Sequence, residues 1–144
     1  MPAGPPPDAT VLAFDFGTRR IGVAVGNTLV RAAHPLATID EARSEARFAA
    51  IGALVAEWRP GVLVVGIPVH ADGTEHAMTK AARRFARELA ARFRLPVAAA
   101  DERHTTAEAA GRLAGVRAGR RGRETRDALA AQAILQGWFD ERLR

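Results

Sequence analysis

Residues 11–26 read VLAFDFGTRRIGVAVG, and this stretch decides how the rest of the chain is read. VLAFDF (11–16) is a short apolar run, GTRR (17–20) is a turn, and IGVAVG (21–26) alternates Ile21, Val23 and Val25 with Gly22, Ala24 and Gly26. That alternation has the period of a strand, so the stretch is an antiparallel hairpin. Its Gly/Ala face allows close approach of a helix or a ligand. One residue is out of keeping. Asp15 sits between Phe14 and Phe16, where a buried charge is costly unless something binds it. Either it accepts bonds locally, from backbone N–H groups or from Arg19 or Arg20, or it holds a cation.

Working outward, HPLATI (34–39) is a third strand. Phe48, Ile51, Leu54, Val55 and Trp58 recur at helical spacing, which makes Ser44–Trp58 a helix that Pro60 stops. GVLVVGIP (61–68) is a continuous apolar run bounded by Gly and Pro, the pattern of a buried parallel strand. VHADGT is a loop, Glu75–Phe93 an amphipathic helix, and VAAADE (97–102) a further strand after Pro96. Thr105 and Glu108 form a capping-box pattern that opens a helix to about Val116. RAGRRGRETR (117–126) reads as a polar, basic loop before a last helix over Asp127–Leu143. Right-handed crossovers place the later strands parallel to the first. The expected fold is α/β: a five-stranded mixed sheet, an antiparallel meander plus parallel strands, with helices on both faces.

Composition sets bounds on function. The 144 residues suit one domain, with residues 1–10 (MPAGPPPDAT) as a disordered Pro-rich tail and 11–144 as the domain. That start has neither the charged nor the apolar region of a signal peptide, and no apolar run approaches the roughly 18–20 residues of a membrane helix. There is no cysteine, which excludes a disulfide framework, a thiol nucleophile and a Cys-based zinc site. Together these point to a cytoplasmic protein. The formal net charge is +5, and of 21 Lys and Arg residues only Lys80 is lysine. Genomic base composition can produce such a bias; a polyanion partner is the functional reading, since arginine forks match phosphate oxygens.

Three acidic positions fall at ends of elements that this topology brings together: Asp15 near the end of the first strand, Asp101-Glu102 at the end of the last, and Asp127 at the start of the last helix. Each has an ordinary reading: a turn carboxylate, a helix cap or a partner for Arg103, and complementarity to a helix dipole. Taken together they form a set of carboxylates that repel one another unless a divalent cation lies between them, and an all-oxygen set suits Mg²⁺ or Mn²⁺. Adjacent strand residues face opposite ways, so spacing alone leaves Asp101 and Glu102 as alternatives.

Four blocks in order, FDFGTRRIGVAVG (14–26), VVGIPVHADGT (64–74), AADERHTTAEA (99–109) and DALAAQAILQGWFD (127–140), resemble the YqgF/RuvX family of RNase H-like, RuvC-type nucleases. The resemblance runs from about Val11 to Glu141. It implies the RNase H-like fold and metal-dependent phosphodiester hydrolysis, in 5′-end processing of pre-16S rRNA or in resolving Holliday junctions. It places the family's acidic residues on Asp15, Glu102 and Asp127. Asp72 is a secondary candidate whose simpler reading is an Asp-Gly turn. His104 is read as a partly exposed loop histidine rather than a general base, and His34, His70 and His76 lack ligand spacing.

The mechanism this implies has two Mg²⁺ or Mn²⁺ ions, bridged by Asp15 and completed by Glu102 and Asp127. Thr18, Arg19, Arg103, Arg120, Arg121 and Arg123 would meet flanking phosphates of the nucleic-acid partner. A two-fold junction as substrate would call for a homodimer. Two rival readings stand beside this one. DFGT also resembles the first phosphate loop of sugar kinases and actin-like ATPases, which need two such domains where 144 residues supply one. A non-catalytic ribosome-assembly factor on the same fold would have no need of the acidic set.

Overall fold

The computed structural model describes residues 8–68, 74–101 and 120–142, the first residues of the last segment in backbone only. The described elements are β1 (Thr10–Phe16), β2 (Arg20–Asn27), β3 (Ala33–Asp40), α1 (Ser44–Trp58), β4 (Val62–Ile67), α2 (Ala77–Phe93), β5 (Val97–Asp101) and α3 (Arg120–Arg142). The five strands form one sheet in the order β3-β2-β1-β4-β5. β2 runs antiparallel to β1 and β3, whereas β4 is parallel to β1 and β5 to β4. This is the mixed sheet expected from the sequence.

Strand alternation divides the core in two. Leu12 and Phe14 of β1, with Ile21, Val23, Leu63 and Val65, are buried against Phe48 and Ile51 of α1 and Ala82, Phe85 and Leu89 of α2. Phe85 gathers the rings on this side, 6.0 Å from Phe14, 4.9 Å from Phe16 and 5.9 Å from Phe48 between centroids. Val11 and Ala13, with Ala24, Val62 and Val64, face α3 through Ala131, Ile134, Leu135, Trp138 and Phe139. Helices therefore cover both faces, α1 and α2 on one and α3 on the other. No helix among the described residues is long and apolar enough to cross a membrane.

Beyond one-residue shifts at the ends of β2, β3 and β4, three boundaries differ from the sequence reading. Ala9 is buried and its N–H donates to Thr28 Oγ1 (2.9 Å), while Thr10 opens β1, so the end of the Pro-rich stretch is packed and enters the sheet at Thr10. The helix read as starting at Asp127 starts at Arg120, so residues 120–126 of the expected loop are helical. Arginine and glutamate favour helix and outnumber Gly122, which opposes it by about 1 kcal/mol, and Thr125, which opposes it less, so polarity without periodicity is not evidence of a loop here. α2 starts at Ala77 rather than Glu75; the His76 N–H donates to Thr79 Oγ1 (3.1 Å), and the buried Thr79 hydroxyl donates to the Pro68 carbonyl, fixing the helix start to the end of β4. The helix expected over residues 105–116 lies outside the described residues.

α3 lies along β2 on the small residues Gly22, Ala24 and Gly26. A Cβ at Gly22 would sit 1.9 Å from the Asp127 carbonyl oxygen, and one at Gly26 would sit 2.7 Å from the Phe139 ring. Hydrogen bonds secure the far end. Gln132 Nε2 donates to the Ala33 carbonyl (2.8 Å), the Ala33 N–H to Gln136 Oε1 (3.1 Å), and Gln136 Nε2 to the Arg31 carbonyl (3.0 Å). Gly22→Ala drives a methyl into backbone that cannot rotate away. It should cost about 2–3 kcal/mol in urea unfolding monitored by circular dichroism; wild-type stability would contradict the close seating of α3.

Candidate active site

Asp15 is the next-to-last residue of β1, half-buried between Phe14 and Phe16. Because Phe14 and Phe16 both pack on the α2 side, alternation places Asp15 on the α3 side. Its register partner on β2 is Gly22, the residue on which the α3 backbone rests at Asp127. One glycine thus links the two carboxylates, as the pairing partner of Asp15 and the seat of Asp127. Asp127 lies well inside α3 rather than at its first turn, so complementarity to the N-terminal dipole does not account for it. The parallel strands β1, β4 and β5 end at the same edge of the sheet, where sites of such folds collect.

The Arg20 Nε–H donates to Asp127 Oδ2 at 2.7 Å, with the two side chains 26% and 25% exposed. Sequence reasoning selected Arg19 instead. Arg19 is exposed and pairs loosely with Asp40, 3.6 Å away, and Thr18 is exposed beside it. Arg20 shares its parity with Gly22 and Ala24, the α3-facing side of β2, and this parity was the available signal.

Arg47 of α1 was also missed. It is buried, donates from one terminal nitrogen to the Gly17 carbonyl (2.6 Å) and from Nε to the Glu41 carbonyl, and lies 5.4 Å from the Phe16 ring centroid. Burial lowers its pKa from the ordinary arginine value; the guanidinium remains charged, and the carbonyls and ring replace its hydration. The signal lay in the helical spacing Arg47, Ile51, Leu54, Trp58, an arginine in an otherwise apolar row.

The structure also separates the paired acidic positions of β5. Val97 packs with the α1/α2 core and Ala98 and Ala100 with the α3 core, and Asp101 pairs in register with Ile67 of the α1/α2 core. Asp101 is therefore on the face opposite Asp15. Glu102, Arg103, His104 and Asp72 lie outside the described residues, as do the side chains of Arg120, Arg121 and Arg123, whose backbone forms the start of α3. Among the described residues no three acidic or histidine side chains converge as a complete metal site. Asp15 and Asp127, linked through Gly22, carry oxygen donors only, and Asp127 is bound by a cationic group. This chemistry fits a hard divalent ion such as Mg²⁺ or Mn²⁺.

Comparison with known proteins gives a consistent picture. The RuvX family model, described as Holliday junction resolvase, matches residues 9–141. A Dechloromonas aromatica protein named "Putative pre-16S rRNA nuclease" is 57% identical over 134 residues, covering 91% of this chain and 90% of its own. A Chromobacterium violaceum protein of the same name is 54% identical over 132 residues, covering 90% and 96%. Among solved structures, T. thermophilus RuvC in complex with Holliday junction substrate is similar with a TM-score of 0.58 at 18% identity, over 93% of this chain and 95% of that one. At that identity the likeness is one of fold, and it supports the RNase H-like architecture.

The turn makes a separate prediction. Arg47→Met keeps the stem packed on Phe16 but leaves the Gly17 and Glu41 carbonyls without this donor. It should cost about 1–3 kcal/mol and speed amide hydrogen exchange over residues 17–20; unchanged exchange there would show that Arg47 does not secure the turn.

Proposed function

The chain belongs to the RuvX family, and from that premise we propose that it is a nuclease that hydrolyses phosphodiester bonds with Mg²⁺ or Mn²⁺ at Asp15, Glu102 and Asp127. The observation that carries this reading is that the α3 backbone at Asp127 rests on Gly22, the register partner of Asp15. The parity of β5 favours Glu102 as the third ligand: Asp101 faces away, and Glu102 is the next even-numbered position after Ala98 and Ala100. Two ions bound there would supply an activated water and stabilise the leaving oxygen. The protein's own part is positional. Phe14 and Phe16 fix β1 in the core so that Asp15 is held at the sheet edge, and the seat on Gly22 fixes Asp127. Thr18, Arg19, Arg103, Arg120, Arg121 and Arg123 would contact phosphates on either side of the scissile bond.

The substrate proposed is the 5′ region of pre-16S rRNA, which places the enzyme in ribosome biogenesis in the cytoplasm. The names of relatives more than half identical support this. A four-way DNA junction is the second reading, favoured by the family's description, and would require a homodimer to cut both strands symmetrically.

The test is cleavage of a pre-16S leader RNA and of a four-way DNA junction, side by side, with Mg²⁺ or Mn²⁺. Loss of a group that merely orients a metal ligand costs 10–100-fold, so Asp15→Asn and Asp127→Asn, which alter ligands themselves, should lower cleavage at least about 100-fold. Equal cleavage by the Asn variants, or none by the wild type, would sink the proposal. Arg120→Ala and Arg121→Ala should weaken binding across sequences and reduce the salt slope by about 1 each on duplex DNA. An unchanged slope would remove these arginines from the contact surface.

A further inference from the structure

Arg20 is the described cation that reaches into the acidic site, and its placement gives it a second role. Its Nε lies 2.7 Å from Asp127 Oδ2, and three-quarters of each side chain is shielded from solvent. Arg19 cannot substitute for it, since Arg19 is directed to Asp40 and lies in solvent. Arg20 opens β2 opposite the end of β1, where Phe16 pairs with Ile21 and Asp15 with Gly22. Its guanidinium therefore stands at the edge where Asp15 and Asp127 meet.

Charge balance governs this edge. Two carboxylates at one edge repel, and a guanidinium on Asp127 offsets that repulsion. A divalent ion held by the same carboxylates would neutralise them more fully and place a like charge beside Arg20. The ion and the guanidinium then compete for Asp127, and the displaced guanidinium remains at the edge. A planar fork of N–H donors is suited there to a phosphate oxygen pair. We propose that Arg20 is an exchangeable counter-ion of Asp127: divalent metal displaces it from the carboxylate, and it is then taken up by the substrate's phosphate. This inference rests on the metal-binding reading above and adds to it a residue that couples metal entry to phosphate binding.

The experiment uses the full chain prepared without divalent metal. Mn²⁺ affinity is measured by calorimetry for the wild type, Arg20→Gln, Arg20→Lys and Asp15→Asn, and the Arg20 Nε–H resonance is followed by NMR during Mg²⁺ titration. Removing a partly exposed ion pair of this kind should tighten Mn²⁺ binding by up to about five-fold in Arg20→Gln. Arg20→Lys, which retains the charge, should stay near the wild type. Mg²⁺ should shift the Arg20 Nε–H resonance toward its free position over the range in which binding depends on Asp15, and Asp127→Asn should produce the same shift without metal. A leader RNA bound in Ca²⁺ should be held more weakly by Arg20→Gln than by the wild type. If metal binds and depends on Asp15, yet Arg20→Gln leaves its affinity unchanged or the resonance does not move, the counter-ion role is overturned and the metal site stands. If no variant shows metal binding that depends on Asp15, the metal site itself is overturned and the counter-ion role with it.

Discussion

The site depends on one contact: the backbone of α3 at Asp127 resting on Gly22, with no room for a side chain between them. Helix-to-sheet spacing is ordinarily set by the side chains between the layers. Here the separation falls to backbone contact at one end of the helix, while Phe139 fills the space at Gly26 toward the other. The helix thereby brings an acidic residue to the sheet surface at the level of Asp15, and within reach of Arg20. A larger residue at position 22 would lift that end of the helix and carry Asp127 away from both Asp15 and Arg20.

The same geometry explains how a carboxylate is tolerated within an apolar strand. Phe14 and Phe16 serve the α1/α2 core, and Asp15 turns to the other face, near the end of the strand, where it remains half-exposed. The desolvation cost of a fully buried charge does not arise. The phenylalanines hold the strand and the aspartate is presented by it.

Where side-chain period and local punctuation carry the information, the sequence is readable. The hairpin, β3, α1 with its stop before Pro60, and the buried run of β4 all follow from alternation, helical spacing and Gly/Pro boundaries. So does the approach of the end of β1 to the last helix, because topology brings these elements to one edge. What was hidden depends on parity between elements. Whether Asp101 or its neighbour shares the face of Asp15 requires the register of β5 on β4, which no local pattern encodes. Arg19 and Arg20 are chemically identical in sequence, and only the face of β2 on which α3 packs tells them apart. The start of α3 was hidden for a different reason. Its first residues are helix-forming but present no apolar stripe, so periodicity is silent about them.

Arg20 and Arg47 also act on one turn from opposite sides of the sheet. Arg47 rises from α1 to the Gly17 carbonyl, and Arg20 closes the same turn onto α3 through Asp127. Thr18 and Arg19, between these anchors, are exposed. A loop fixed at both ends has less conformational freedom to lose than one that is not, so the exposed Thr-Arg pair is presented in a restricted set of conformations. The two anchors are not equivalent. The Arg47 contact is buried and made to backbone carbonyls, which carry no titrating or metal-binding chemistry. The Arg20 contact is made to a carboxylate, and both side chains are partly exposed. The turn is thus held on the α1 side by a contact to backbone and on the α3 side by an ion pair between side chains, so its two ends are fixed by different kinds of interaction.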